Sequence, residues 1–483
     1  MLTADRTLQN FIGGRWLKAS SDRTVVDLNP ARPQDVIARI PLSSADDARD
    51  AVAAAAAAFA GWRTTSSVRR GRILVRASRL LEERAEELAA LMTREQGKTL
   101  AESRGEVARA IEFWSWMGHQ GGSIQGVTAP TEVDEVLALV VREPLGVVAL
   151  ITPWNFPVNI PGWKLASALV CGNTVVLKPA QLTPLCAAFL VQALIDAGLP
   201  DGVLNVVFGS GAEVGDVVVT DPRVKAISFT GSTEVGLGIS AKAAPLGKKV
   251  QAEMGGHNAV VVLADADLER AARGAAVAAF GTTGQRCTAA RRVIVQRSVA
   301  AELTDLLAAE TRRLRVGAGE CEGVDIGPLV DEASLLEVLG EIERAKNEGA
   351  EVLVGGGRAG DGGYFIQPTL LGSVTPAMTI ANEEVFGPVL PVLEVDDFDE
   401  ALELATATRY GLSSSIYTRD LSTAMRFMRD CDSGVVHINK PPIGGEPHLP
   451  FGGLKASSIG PKEMGSAAEF YTQTKTVYLD YSQ

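Results

Sequence analysis

A chain of 483 residues is too long for one ordinary hydrophobic core, so two or three domains are expected. Its 46 basic residues against 58 acidic ones, a net charge of −12, argue against nucleic acid or an anionic membrane as main partner, leaving room for a local basic pocket. Five scattered cysteines without a CxxC pair point to a reducing compartment. The opening lacks a basic head with an apolar run, and no apolar stretch approaches the ~20 residues of a membrane helix. A soluble, cytoplasmic protein is expected.

In chain order, the alanine run at 53–58 follows Ser44-Ala45-Asp46-Asp47, a capping-box pattern that predicts a helix start. Residues 80–91 and 107–116 are predicted as amphipathic helices, and 127–141 as an extended excursion. From 145 onward short β-branched runs alternate with helical stretches. Strands are predicted at 145–151, 174–178, 203–207, 224–229 and 250–254, with helices at 160–170, 183–197, 211–219 and 233–243. Such alternation demands right-handed βαβ crossovers and a parallel sheet, whose ligands bind at the carboxyl ends of the strands. A second alternating stretch from 259 to about 436 predicts another α/β domain. The run GGGRAGDGG at 355–363 is read as a surface loop, and 474–481 as a strand. Two strands outside the domains suggest pairing between subunits.

Several residues could carry chemistry. Gly231 and Gly236 flank a turn between a strand and a helix, where free N–H groups and the helix dipole attract phosphate; that context favours a nucleotide over an ordinary tight turn. The upstream stretch Gly209–Gly215 also misses GxGxxG by one residue, and Gln96-Gly97-Lys98-Thr99 fails as a P-loop because Met92 stands at the first glycine. Lys178, at a strand end, is either a solvated lysine or a ribose ligand. Cys287 is either a buried structural thiol or a nucleophile activated by the adjacent Arg286, since a nearby cation lowers a thiol pKa. Glu253 ends an apolar strand as a buried ion-pair partner or a general base. Asn155 caps the following helix or donates to an oxyanion. The four histidines are dispersed, and neither a metal cluster nor a GxSxG elbow is present in the sequence.

Together these residues resemble the aldehyde dehydrogenase superfamily over essentially the whole chain. The matching strings, in the family's order, are PWNFP (153–157), VVLKPA (175–180), FTGSTEVG (229–236), EMGGHNAVVV (253–262), GQRCT (284–288), EEVFGPV (383–389) and PFGGLKAS (450–457). The resemblance implies an α/β fold with two Rossmann-like parallel domains plus a β-strand oligomerisation arm. Residues 1–123 and 144–254 would bind NAD or NADP, 255–445 would be catalytic, 446–469 would return to the first domain, and 124–143 with 470–483 would form the arm of a homodimer or homotetramer. It further implies Cys287 as nucleophile, Glu253 as base for the deacylating water, and Asn155 with the Cys287 N–H as oxyanion hole. Trp154, Lys178, Gln181, Gly211, Gly215, Phe229, Gly231, Ser232, Glu384 and Phe386 occupy the cofactor-contacting positions, and no metal is implied.

Two departures refine the expectation. Many NAD-preferring relatives carry a glutamate where this chain has Gln181, so repulsion of a 2′-phosphate is removed and NADP is expected to be accepted. Glu253 favours hydrolysis over acyl transfer to coenzyme A, and retention of all three catalytic residues argues against a non-catalytic dinucleotide-binding protein. The Arg286-Cys287 pair and the ending INKPPIGGEPHLPFGG look most like 2-oxoglutarate-semialdehyde dehydrogenases. The arginine that succinate-semialdehyde enzymes often carry after PWNFP is not evident in 158–164. An ω-oxo acid is the expected substrate class, with succinate semialdehyde and general aliphatic or aromatic aldehydes as alternatives.

Overall fold

The computed structural model describes residues 7–360 and 362–482. Asp361 in the predicted 355–363 loop, the first six residues of the opening and Gln483 in the predicted arm lie outside them. The capping box forms: Ser44 accepts from the backbone of Asp46 and Asp47 at the start of α1 (Ala45–Thr64), and Asp47 accepts from Ser44 N at 2.8 Å. Ala48, Ala51, Val52 and Ala55 bury one stripe of that helix, as a 3.6-residue period requires. The predicted helix at 80–91 is two helices instead, α2 (Ser67–Glu83) and α3 (Ala85–Gln96), broken at Arg84 with φ −117° and ψ 21°. Leu81 and Leu88 are both fully buried on either side of the break, so the apolar spacing conceals it. Helix α4 (Leu100–His119) carries a second capping box, Thr99 with Glu102.

The first sheet has a parallel centre. Strands β1 (Val147–Ile151), β2 (Thr174–Lys178), β3 (Leu204–Val206), β4 (Val224–Thr230) and β5 (Lys249–Glu253) lie in the order β3-β2-β1-β4-β5. All five residues of β1 are buried, because helices cover both faces. Among those helices are α5 (Asn159–Val170), α6 (Pro184–Asp196) and α7 (Thr233–Ala243). Both outer edges are closed by antiparallel strands from distant segments, Asn10–Ile12 on β3 and Ser458–Ile459 on β5. Local alternation could not reveal those pairings. The predicted helix at 211–219 is a wide turn over Gly211–Gly215, where Val214 N and Gly215 N share the Ser210 carbonyl, followed by a short helix Asp216–Thr220. Two glycines in five residues weaken a regular helix.

The second sheet contains β6 (Asn258–Val262), β7 (Ala290–Gln296), β8 (Glu351–Val354), β9 (Thr369–Gly372), β10 (Val389–Val395), β11 (Ser413–Tyr417) and β12 (Val435–Ile438). Their order is β8-β9-β10-β7-β6-β11-β12, parallel except for β8. The region predicted as one extended run folds back as Val127–Ala129 against Val136–Pro144, turning through Glu135 at φ 59°. Thr472–Asp480 pairs with Val136–Pro144 along nine residues, giving a separate three-stranded sheet. Among the described residues no helix is long and apolar enough to cross a membrane.

Candidate active site

The parallel register sets Ile151 beside both Lys178 and Phe229, and Thr230 beside Glu253, so the carboxyl ends of β2, β1, β4 and β5 form one row. This is where the strand order reverses, between β1 and β4. Past β1 the chain runs through Trp154 and Asn155 into α5. Asn155 Nδ2 donates to the Gln285 carbonyl at 3.0 Å, two residues before Cys287. An amide has two donor hydrogens, so one remains for another acceptor.

The Cys287 loop is strained and braced. Thr282 and Thr283 hold φ of 52° and 57°, the left-handed region that non-glycine residues rarely occupy. Glu102 accepts from Thr282 N at 2.6 Å, Thr283 Oγ1 donates to the Gly327 carbonyl at 3.0 Å, and Gln285 Oε1 accepts from Val330 N at 2.9 Å. At Gly284, φ 68°, any side chain would overlap the Gly387 carbonyl. After the loop, Asn258 Nδ2 donates to the Cys287 carbonyl at 2.8 Å.

Cys287 and Glu253 open into one cavity of about 400 Å³ between the two sheets. Its apolar wall includes Phe156, Trp163, Leu412, Ile443 and Phe451, and its cationic side chains are Lys98, Arg109 and Arg286. Burial, with the Glu384 and Glu253 carboxylates nearby, pushes the Cys287 thiol up to about 12. The expected activation by Arg286 is therefore corrected. The Arg286 guanidinium turns away to Thr282 Oγ1 at 2.8 Å and Glu102 at 3.4 Å, and the cation that does pull the thiol down is Arg291.

Glu253 accepts from Ser458 Oγ at 2.5 Å, while its Oε1 has no hydrogen-bond partner. Burial and the nearby Glu463 raise its carboxyl to about 8, against the opposing pull of Ser458 and Lys164. Behind it lies a polar chain in the core. Glu463 pairs with Lys164, Lys164 donates to Ser228 at 2.8 Å, and Ser228 to Gln251 at 3.0 Å.

The positions expected to contact a cofactor lie around the same strand ends. Lys178 Nζ has one close acceptor, the Pro179 carbonyl at 3.1 Å, and burial lowers its pKa to about 8. Gly215 packs beside the Lys178 stem, Gln181 is half-buried, and Gly211 faces open space. Ser232 caps α7, Gly231 N donates to the Glu253 carbonyl at 3.1 Å, and a side chain at Gly231 would run into the Phe229 ring. From the second half, Glu384 sits 3.3 Å from Arg291, and Phe386 meets the edge of Trp154 at 5.6 Å between ring centres. Thr152 Oγ1, Thr230 Oγ1 and Glu253 Oε1 are buried without partners at these strand ends. Polar atoms left free in such a row, with a lysine amine beside them, fit a polar ligand of the dinucleotide kind.

Sequence reasoning did not single out Glu102, Glu106, Arg109, Ser458, Glu463, Lys164 or Arg291. A lysine inside the apolar stretch WKLASALV was a visible signal, because a buried amine requires a partner. The carboxylates on α4 gave none, since a helix face rich in charge ordinarily points to solvent.

The aldehyde dehydrogenase family profile matches residues 16–477. The chain is 45% identical to 2,5-dioxopentanoate dehydrogenase of Saccharolobus solfataricus, covering 97% of this chain and 98% of that one. It is 42% identical to the alpha-ketoglutaric semialdehyde dehydrogenase of Bacillus subtilis, covering 99% of each. The crystal structure of betaine aldehyde dehydrogenase from Staphylococcus aureus in complex with NAD+ superposes with a TM-score of 0.96 at 31% identity, over 99% of this chain and 95% of that one. Profile, full-length relatives and fold agree: the chain belongs to the aldehyde dehydrogenase family.

Proposed function

We propose that this enzyme oxidises a carboxylate-bearing ω-oxo aldehyde, 2-oxoglutarate semialdehyde in the first place, to the carboxylic acid with NAD or NADP. The observation that carries the reading is one cavity holding Cys287 and Glu253, tied to Asn155 through Gln285, with Arg109 and Arg286 on its wall. The two relatives above, whose names specify the same five-carbon oxo acid, support the substrate class. Five unpaired cysteines accord with a reducing, cytoplasmic setting.

Lys178, Gln181, the turn Gly211–Gly215, Gly231, Ser232, Glu384, Phe386 and Trp154 would hold the dinucleotide. Residues 1–123 and 144–254 thus form its binding domain, 255–445 the catalytic domain, and 446–469 a return segment. Cys287 Sγ adds to the aldehyde carbon, its proton passing to a base in the cavity, and the resulting alkoxide accepts from Asn155 Nδ2 and the Cys287 N–H. When bound, the nicotinamide would accept the hydride from this carbon, which would leave a thioester on Cys287. Glu253 then takes a proton from water at its free Oε1, and the hydroxide attacks the thioester carbon, whose C–S bond breaks to release the carboxylic acid and return Cys287 as the thiolate. Glu463, paired with Lys164, lies near Glu253 and favours its protonated form.

Arg286 would meet the substrate's distal carboxylate, an interaction of the charge-assisted kind worth roughly 1.5–3 kcal/mol, or about 10- to 150-fold in affinity. NAD(P)H formation is measured with 2-oxoglutarate semialdehyde, succinate semialdehyde and neutral aliphatic or aromatic aldehydes, without coenzyme A. The expected result is highest kcat/KM for the five-carbon oxo acid, no turnover in Cys287→Ala, and a raised KM in Arg286→Met for carboxylate-bearing aldehydes alone. Equal use of neutral aldehydes by the unaltered enzyme, or an Arg286→Met effect common to all aldehydes, refutes the substrate assignment.

A further inference from the structure

The segment 153–159 ends in a helix without a side-chain cap of its own, since Val158 stands at the N-cap of α5. Its orphan amides are satisfied from elsewhere. Glu106 Oε1, on α4, accepts from both Val158 N and Asn159 N at 2.9 Å. The other oxygen, Oε2, lies 2.5 Å from Lys98 Nζ, and that ammonium also donates to the Asn155 carbonyl at 2.8 Å. It sits 4.2 Å from the centre of the Phe156 ring. Both side chains are 1% exposed. Asn155 is thereby held through its carbonyl, and the two amides at 158 and 159 through the same ion pair.

Lys98 itself is fixed from behind. Gln96 Oε1 accepts from its backbone N–H at 3.1 Å, and side chains at Gly319 or Gly327 would overlap the carbonyls of Lys98 and Gly97. The segment after Gly319 also supplies the Gly327 and Val330 groups that brace Thr283 and Gln285. The Lys98 backbone is thus packed by the segment that braces the Cys287 loop, while its ammonium, with Glu106, bonds to the Asn155 side. A buried ion pair is seldom the most stable choice, because an apolar pair of equal volume avoids the desolvation cost. What it adds is direction: a cation aimed at one carbonyl and a carboxylate aimed at two amides.

We propose that Lys98 and Glu106 are positioning residues, which preset the Asn155 amide for the oxyanion and influence the reaction only through Asn155. The proposal rests on the oxyanion role assigned to Asn155 above. Its test is a cycle of four enzymes: unaltered, Lys98→Met/Glu106→Gln, Asn155→Ala, and all three changes together. Glutamine keeps an acceptor for the two amides, and the neutral pair avoids a lone buried charge. Single-turnover NAD(P)H formation, aldehyde KM and the rate of Cys287 alkylation by iodoacetamide are measured for each.

The neutral pair is expected to slow single turnover by about 10²-fold, the scale of a misplaced catalytic group, with KM and alkylation changed by less than about threefold. In the Asn155→Ala background the same pair is expected to cost less than about threefold. A full loss in both backgrounds, or no loss in either, overturns the proposal. An Asn155→Ala enzyme with undiminished turnover overturns the oxyanion reading itself and the proposal with it. Should the neutral pair fail to fold, Glu106→Gln alone enters the cycle, and an equal loss with and without Asn155 is again the refuting outcome.

Discussion

On the proposed mechanism Glu253 is the residue whose titration the reaction would report. Burial and Glu463 raise its carboxyl to about 8, so at neutral pH it is mostly protonated and cannot take a proton from water. Thioester hydrolysis is expected to grow as pH rises through about 8, and Glu253→Gln is expected to remove that dependence. The variant should retain a burst of NAD(P)H near one per active site while steady turnover falls by about 10²-fold or more. Stability carries the opposite sign. A carboxyl whose folded pKa is raised binds more protons in the folded state, so its contribution is intact below its ordinary value near 4.5 and is lost as pH rises through about 8. Glu253→Gln should therefore melt higher than the unaltered enzyme at pH 9, with the gap closing at pH 5. Stopped-flow absorbance and thermal melts at both pH values check the pair of outcomes; a variant that loses the burst places Glu253 in thioester formation, and one with undiminished steady turnover removes it from the hydrolytic step.

At the scale of elements, legibility followed the range of the interaction. The short β-branched runs of the first domain showed in the sequence because β1, β2, β4 and β5 are buried on both faces. What stayed hidden was the edge strand Ser458–Ile459 on β5, whose partner lies far along the chain, and two local breaks that the apolar pattern does not mark, at Arg84 and at Glu135. The site divided in the same way. Cys287, Glu253 and Asn155 announced themselves through their local strings, whereas Lys98 and Glu106 acquire meaning only when α4 packs under residues 155–159. Thr472–Asp480 tests this element by element. It pairs on one side with Val136–Pro144 and forms the outer edge of its sheet, with Tyr478 and Leu479 exposed. Such an edge is a template for another chain, as the homodimer or homotetramer implied by the resemblance would require. Removing 473–483 is expected to yield monomers in analytical ultracentrifugation; an unchanged mass means that assembly relies on another surface.

At the scale of the whole molecule, two α/β sheets meet around the cavity where the proposed chemistry would run. Trp154 against Phe386 and Asn155 to Gln285 both bridge that junction. A dinucleotide seated there would touch both halves, and any ligand bound only by the folded state stabilises it by RT ln(1 + [L]/Kd), about 2.7 kcal/mol at one hundred times Kd. Thermal shift thus measures cofactor preference without catalysis. Position 181, three residues after Lys178, is a neutral glutamine rather than a carboxylate, so NADP is expected to raise the melting temperature at concentrations comparable to those needed for NAD. Gln181→Glu would set a negative charge against the 2′-phosphate and should weaken NADP by about tenfold or more, leaving NAD within about twofold. If the unaltered enzyme prefers NAD strongly and Gln181→Glu leaves the NADP-to-NAD ratio where it was, discrimination lies elsewhere on the surface that the turn Gly211–Gly215 and Lys178 share.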